Sequence, residues 1–483
     1  MIINSFSFLL FFSIVFFIYY FPLKEKTKAQ NWLLLIASYI FYGIANWKMI
    51  PILLVATFIF YFLGIEIRKG TEKKASLLTT LGVIAGVGLL FYFKYLDFFI
   101  ESFVALFNSI GLHPNLNTFN IIFPLGISFF TFRLISYVIE IHRGKIEPEK
   151  DFAAFATYVA FFPTIMSGPI DRPNDFIPQL HKKRIFSYET AMDGTRQILW
   201  GIFKKMVIAD NLAVFVNAVW TDLPAQNSPT LFIAAVLYTM QMYADFSGYS
   251  DMAIGVGKIL GFRITINFKY PFFVTNIAEF WRRWHISLTS WVTDYVFMPL
   301  NIKFRDYGKW GMIWAIIINM IIIGIWHGAN WTFAVFGLYH GLLFIPLVLS
   351  GSFLKKSRLK TNKYDLPRLK DFINMGFTFL LVTVGLIIFR AEFIGQAFFY
   401  ISKLADFSNF VSLTTDGLRA LIPTLLCLIG MIMLEWKQRE KEYPLQIDAV
   451  IRSKFIRIAV MWALIVVTVL FSGEEQTFIY MQF

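Results

Sequence analysis

The chain has 483 residues, of which 57% are hydrophobic, 19% aromatic and 16% charged, with a formal net charge of +13 and a mean hydropathy of +0.61. Ordinary soluble proteins carry about 25% charged residues, so a string of soluble domains is excluded and an all-α polytopic membrane protein is expected, one body over residues 1–483. The single cysteine, Cys427, excludes disulfides within the chain and multi-cysteine metal sites.

A bilayer span needs about 20 mostly apolar residues. Runs of that kind begin near 4–21, 31–46, 49–65 and 77–93, which form an N-terminal group of spans over 1–119. Lys24, Lys26 and Lys28 follow the first run instead of preceding it, so it lacks the basic flank of a signal peptide. The positive-inside rule then places the N-terminus outside the cell. Further runs lie near 121–141 and 152–166. The stretch FFPTIMSGPIDRPNDFIPQL follows, and its Pro163, Pro169, Pro173 and Pro178 forbid one continuous helix; a re-entrant segment walling a cavity is expected.

The stretches 196–220 and 279–300 mix apolar and charged residues and read as interfacial or re-entrant helices. Between them, 230–244 is apolar and leads into DFSGYSDMAIGVGKILGF, with Asp245 and Asp251 beside glycines suited to close helix contact. Either aspartate is a candidate to orient a histidine or meet a polar substrate, or a polar helix cap. Later runs lie near 312–326, 331–350, 372–389, 418–434 and 455–472, for about eleven spans in all. The loop with Lys355, Lys356, Arg358, Lys360, Lys363, Arg368 and Lys370 reads as cytoplasmic, and counting from it puts the tail GEEQTFIYMQF outside. The positive charge therefore has two readings: topology together with anionic membrane lipid, or a cytoplasmic face that receives an anionic donor. Nucleic acid is not expected as a partner.

Ionisable groups at membrane depth cost several kcal/mol, roughly, and mark functional candidates. His327 lies between two runs, with Trp326 before it, Gly324 and Gly328 around it and, three residues on, Asn330, a candidate to steady the ring in one tautomer or to donate a hydrogen bond to a developing oxyanion. A neutral imidazole is the usual general base near neutral pH. His285 sits beside Arg282 and Arg283, which read either as an interfacial anchor or as phosphate partners on a path from the cytoplasm. On one helix, Trp281, Trp284, His285 and Leu288 would share a face. His340 reads as packing. Serine-nucleophile and zinc-protease motifs are absent, which leaves group transfer directed by a histidine.

The runs DFSGYSDMAIG, FWRRWHISLTSWVTDYVFMPL and GIWHGANWTFAVFGLYHG closely resemble the membrane-bound O-acyltransferase (MBOAT) family, in its bacterial alginate and peptidoglycan O-acetylation branch. SGPIDRPNDFIPQL and the closing FIYMQF fit the same branch. The resemblance runs from about residue 120 to the end, while 1–119 matches in hydropathy only. It implies a ring of helices around a central tunnel that brings a cytoplasmic thioester, acyl-CoA or an acyl carrier protein, to a histidine within the bacterial cytoplasmic membrane. It assigns that role to His327 and makes His285 the second recurrent histidine. No cofactor is bound in this picture. Acetyl is the acyl group it suggests, a separate SGNH-type extracytoplasmic transferase the expected partner, and Tyr480 either a shuttle for the acyl group or an aromatic anchor. Two rival classes are a glycan or lipid transporter, for which no second copy of the polar motifs is evident, and a noncatalytic scaffold of an export complex.

Overall fold

The computed structural model describes residues 2–355, 359–406, 415–448, 451 and 453–479. Helices dominate the described residues, joined by turns and irregular segments, and the one β-bridge among them is isolated, between Thr361 and Pro367. Six segments among them are long and apolar enough to cross a membrane: Thr27–Lys69, Glu72–Ser109, Arg305–His327, Trp331–Leu349, Leu369–Arg390 and Lys454–Phe471. The shorter apolar helix Phe6–Tyr20 precedes them. The expected tally of about eleven spans also counted runs that fold as shorter or more polar helices. The run at 152–166, for example, is helical only over Phe152–Ala160.

The chain divides into two compact units, residues 1–195 with 253–265, and 196–252 with 266–483. The first holds α1 (Phe6–Tyr20), α2 (Thr27–Asn46), α3 (Ile50–Lys69), α4 (Glu72–Leu90), α5 (Leu96–Ser109), α6 (Ile127–His142), α7 (Phe152–Ala160), α8 (Pro173–Leu180) and the start of α9 (Tyr188–Phe203). Outward side chains here are apolar, with Phe6 80% exposed and Phe17 57% exposed, as suits a surface whose solvent is lipid. The proline-rich stretch behaves as expected of irregular backbone at membrane depth, which is tolerated only where protein surrounds it: residues 161–171 are buried throughout. Arg133 of α6, itself buried, organises it. Its guanidinium donates to the carbonyls of Tyr158, Val159 and Pro169 and to Thr164 Oγ1, and stands 3.9 Å from Asp171. Gly126, at φ +73°, lets the chain meet this stretch, because a Cβ there would lie 2.2 Å from the Ile165 carbonyl.

The second unit takes the rest of α9, α10 (Asp210–Thr221) and most of α11 (Ser228–Ile259). It continues with α12 (Ile277–Trp281), α13 (Ile286–Val292), α14 (Met298–Lys303), α15 (Gly308–His327), α16 (Trp331–Leu343) and α17 (Ile345–Leu349). The final helices are α18 (Leu369–Arg390), α19 (Ile394–Leu404), α20 (Thr415–Ala420), α21 (Ile422–Lys437) and α22 (Lys454–Phe471). Helices α15 and α16 form a hairpin whose backbones nearly touch: a Cβ on Gly324 would meet the Phe333 carbonyl at 2.1 Å, and one on Gly337 the Met320 carbonyl at 2.4 Å. Small residues at such a crossing allow the dense packing that drives helix association in lipid.

Candidate active site

Helix α15 ends at His327, and Gly328 caps it by donating its N–H to the Ile325 carbonyl. The tight hairpin thus fixes where this imidazole stands. It is 6% exposed, against Trp326 (ring centroids 5.1 Å apart), Phe389 of α18 (5.1 Å) and Phe336 of α16 (6.2 Å).

His285 reaches the same place from a different element. The segment 277–292 is two short helices instead of one, broken where His285 adopts φ +45°, ψ +52°. The single helical face expected for Trp281, Trp284, His285 and Leu288 therefore does not form. A left-handed conformation at a non-glycine residue costs about 1–3 kcal/mol and persists where surroundings over-determine it. The surroundings here are the irregular segment 267–269. The Asn267 carbonyl accepts from Ile286 N, and its Oδ1 from Ser287 N and Oγ (2.9 Å to the hydroxyl), while Lys269 N donates to the Arg283 carbonyl. Asn267 is fully buried and its Nδ2 donates to Ser250 Oγ. The break turns His285 inward to 1% exposure, with its ring centroid 6.3 Å from that of His327, 5.6 Å from Trp326 and 4.7 Å from Phe246.

The other expected site residues divide. Trp326 belongs to this cluster. Asn330 does not turn to the His327 ring: it caps α16, its Oδ1 accepting from Thr332 N, and its Nδ2 donates to the Glu392 carbonyl at 2.7 Å. His340 packs as expected, its Nδ1 accepting from Trp281 Nε1 and its ring pressed on Gly385. Arg282 pairs with Glu279 and donates to the Phe353 carbonyl, and Arg283 follows it in the turn. Asp245 is a buried structural anion. Lys205 bridges it and Asp210 at 2.8 and 2.7 Å, and the C-terminal stretch binds the same cluster, Ile479 N donating to Asp245 and Lys205 to the Gln476 carbonyl. Asp251 pairs with Lys204 at 2.5 Å and accepts from Gln197. The glycines near these aspartates do bring helices together, with Gly248 of α11 against Gly201 of α9. Tyr480 lies outside the described residues.

Two cavities lie in the second unit, and neither is lined by an imidazole of the pair. One of about 420 Å³ is lined by Trp281, Arg282, Ile286, Thr289, Asn319 and Ile323, among others. Ile286 adjoins His285, and Ile323 lies one helical turn before His327. The second, of about 540 Å³, is polar, with Arg390, Glu392, Gln241 and Asn217 among its walls. Asn267 and Phe389 were not foreseen; an isolated amide in the run FRITINFKY was the signal for the first, and nothing in the sequence marked the second.

A helical membrane protein that buries two imidazoles side by side has the parts of a membrane-embedded group-transfer enzyme. The chain belongs to the membrane-bound O-acyltransferase (MBOAT) family, which it matches over residues 3–388, and it is an O-acyltransferase. The match takes in the N-terminal third, where the motif resemblance had not reached. The chain is 38% identical to "Probable alginate O-acetylase AlgI" of Pseudomonas putida over 373 residues, 76% of this chain and 72% of that protein. It is 31% identical to "Peptidoglycan O-acetyltransferase" of Helicobacter pylori over 78% of this chain and 74% of that one. Identity to "Teichoic acid D-alanyltransferase" of Streptococcus thermophilus is 32%, over 60% and 75% of the two chains.

Proposed function

We propose that this enzyme carries an acyl group, acetyl by analogy with the O-acetylating relatives, from a cytoplasmic thioester across the bacterial inner membrane for esterification of an extracytoplasmic glycan. The observation that carries the reading is the buried pair His285 and His327, 6.3 Å apart between ring centroids. His327 removes the proton from the acceptor hydroxyl as its oxygen attacks the thioester carbonyl. The thiol of CoA or of a carrier protein leaves with the proton that His327 gives back. His285, held in its strained turn by Asn267, faces the same space and holds the carbonyl or the leaving group. The donor enters along the cavity lined by Arg282, and lipid surrounds the whole. Both termini lie outside the cell in this reading.

A separate extracytoplasmic transferase of SGNH type receives the acyl group and completes transfer to the polymer, and Tyr480 is an intermediate carrier on the way. Tyr480→Phe keeps the ring and removes the hydroxyl; full activity in that variant would reduce the residue to an anchor. The central test is release of CoA or carrier from labelled donor by the purified protein, with the acceptor present. His327→Ala is expected to slow release by about 10²- to 10⁴-fold while the protein accumulates normally. Unchanged release would remove His327 from the mechanism, and transport of a glycan without thioester consumption would favour the transporter class.

A further inference from the structure

The acyl-transfer step gives no role to His340. This residue is 1% exposed, and its ring packs on Phe336 (centroids 4.7 Å apart), Trp281 (5.1 Å) and Tyr339 (5.3 Å). Its Nδ1 accepts from Trp281 Nε1 at 3.3 Å. An indole N–H is a donor only, so the imidazole is neutral and carries its proton on Nε2. The Nε2 edge lies against Gly385 of α18, where a Cβ would overlap it. A leucine or a phenylalanine fills such a space at no polar cost. An imidazole fills it and also offers the buried indole N–H the partner that such a group usually has.

What the bond does follows from where its two ends stand. Trp281 is the last residue of the five-residue helix α12, and the turn that carries the left-handed His285 follows at once. A helix this short has little stability of its own. Bonds from Asn267 and Lys269 fasten the turn to its own neighbouring segment, whereas Trp281 fastens it to the α15–α16 hairpin. His340 belongs to the second helix of that hairpin, and the first ends at His327. The close glycine crossings at Gly324 and Gly337 join the two helices. The indole bond therefore ties the element bearing one imidazole of the pair to the element bearing the other. Phe336 lies between the tie and the pair, its centroid 6.3 Å from Trp281 and 6.2 Å from His327. We infer that His340 is a positioning residue, which holds Trp281 so that the turn carrying His285 keeps its place beside His327. The inference rests on the acyl-transfer reading, in which both imidazoles face the thioester.

Thioester turnover by the purified full chain is measured with kcat and donor KM separated. His340→Leu removes the acceptor of the bond, and Trp281→Phe removes its donor while keeping a ring. Each is expected to lower kcat by about ten- to a hundredfold, the scale on which a misplacement of about 1 Å costs rate, with donor KM within about twofold of wild type. The double variant should lose no more than either single one, because both changes break the same bond. His340→Asn sets an amide oxygen where Nδ1 stood and should recover most of the rate. In protein labelled at the tryptophan nitrogens, the Trp281 indole N–H should exchange slowly in wild type and His340→Asn and rapidly in His340→Leu. If His340→Leu does not accumulate, Trp281→Phe and His340→Asn carry the test. A wild-type kcat in His340→Leu or Trp281→Phe, additive losses in the double variant, or no recovery in His340→Asn would each overturn the proposal. So would a raised KM at unchanged kcat, which would make Trp281 a wall of the donor cavity and nothing more. Full turnover in His327→Ala sinks the proposed function, whereas turnover that needs His327 and ignores these variants sinks only this inference.

Discussion

At the scale of residues, the site depends on side chains that never touch the reacting atoms. Asn267 spends its carbonyl and its amide oxygen on the turn that carries His285. Asn267→Leu leaves the Ser287 hydroxyl and N–H without that acceptor, at a cost of about 1–3 kcal/mol, and lets the strained turn relax. Transfer should fall sharply while His327 stays in place; Asn267→Asp keeps the acceptor oxygen and should recover most of the rate. A transfer rate in Asn267→Leu equal to wild type would show that His285 holds its position unaided. Asn330→Ala should lower thermal stability, since an N-cap is worth about 1 kcal/mol, with a smaller effect on rate than His327→Ala. Lys205 is a different case. Removing its charge as Lys205→Met strands Asp210 and Asp245, both 2% exposed, and breaking a buried pair in this way costs about 3–5 kcal/mol. The expected readout is a large fall in melting temperature together with looser binding of the 473–479 stretch, followed by proteolysis.

At the scale of elements, the α15–α16 hairpin positions His327, the proposed general base, and its glycines set the approach. Gly324→Ala places a methyl group 2.1 Å from the Phe333 carbonyl, so the helices must part. Overpacking of this kind costs about 1–3 kcal/mol, at times more, and moves His327 with the end of α15. Activity is expected to fall further than stability; a variant with normal rate would mean that the hairpin tolerates separation. The loop before α18 is tied to the end of α21 by charge: Arg439 grips both carboxylate oxygens of Asp365, and Trp436 Nε1 donates to the Asp365 carbonyl at 2.9 Å. The hydrogen bonds from Arg439 hold the Asp365 carboxyl below its ordinary range. A carboxylate whose folded pKa is lowered stabilises the tie above the unfolded value of about 4 and loses that contribution as pH falls through the folded value. Hydrogen exchange in 359–368 should therefore rise below about pH 4, and Asp365→Asn should show the faster exchange already at neutral pH.

At the scale of the whole molecule, the proposed sidedness rests on the basic loops, and the single native cysteine makes it measurable. In a Cys427→Ser background, a cysteine at Lys360 should react only with reagent reaching the cytoplasm, and one at Glu474 only with reagent from outside; the reverse pattern would invert the proposed direction of transfer. Helix content and the interruption between Ala160 and Pro173 were legible along the chain, because hydropathy and fixed proline φ angles are local properties, whereas Pro178 sits inside α8. The motif around His285 was legible too, although its geometry was misread: periodicity alone draws a helix through 281–288, and only the hydrogen bonds from Asn267, 18 residues earlier, break it there. The same holds for the aspartates. As residue types they look chemical, and the fold pairs them with Lys204 and Lys205. Linear order determines which groups are too costly to bury without reason, whereas the partners that repay that cost come from distant segments, so packing alone decides which buried groups meet each other and which face a cavity.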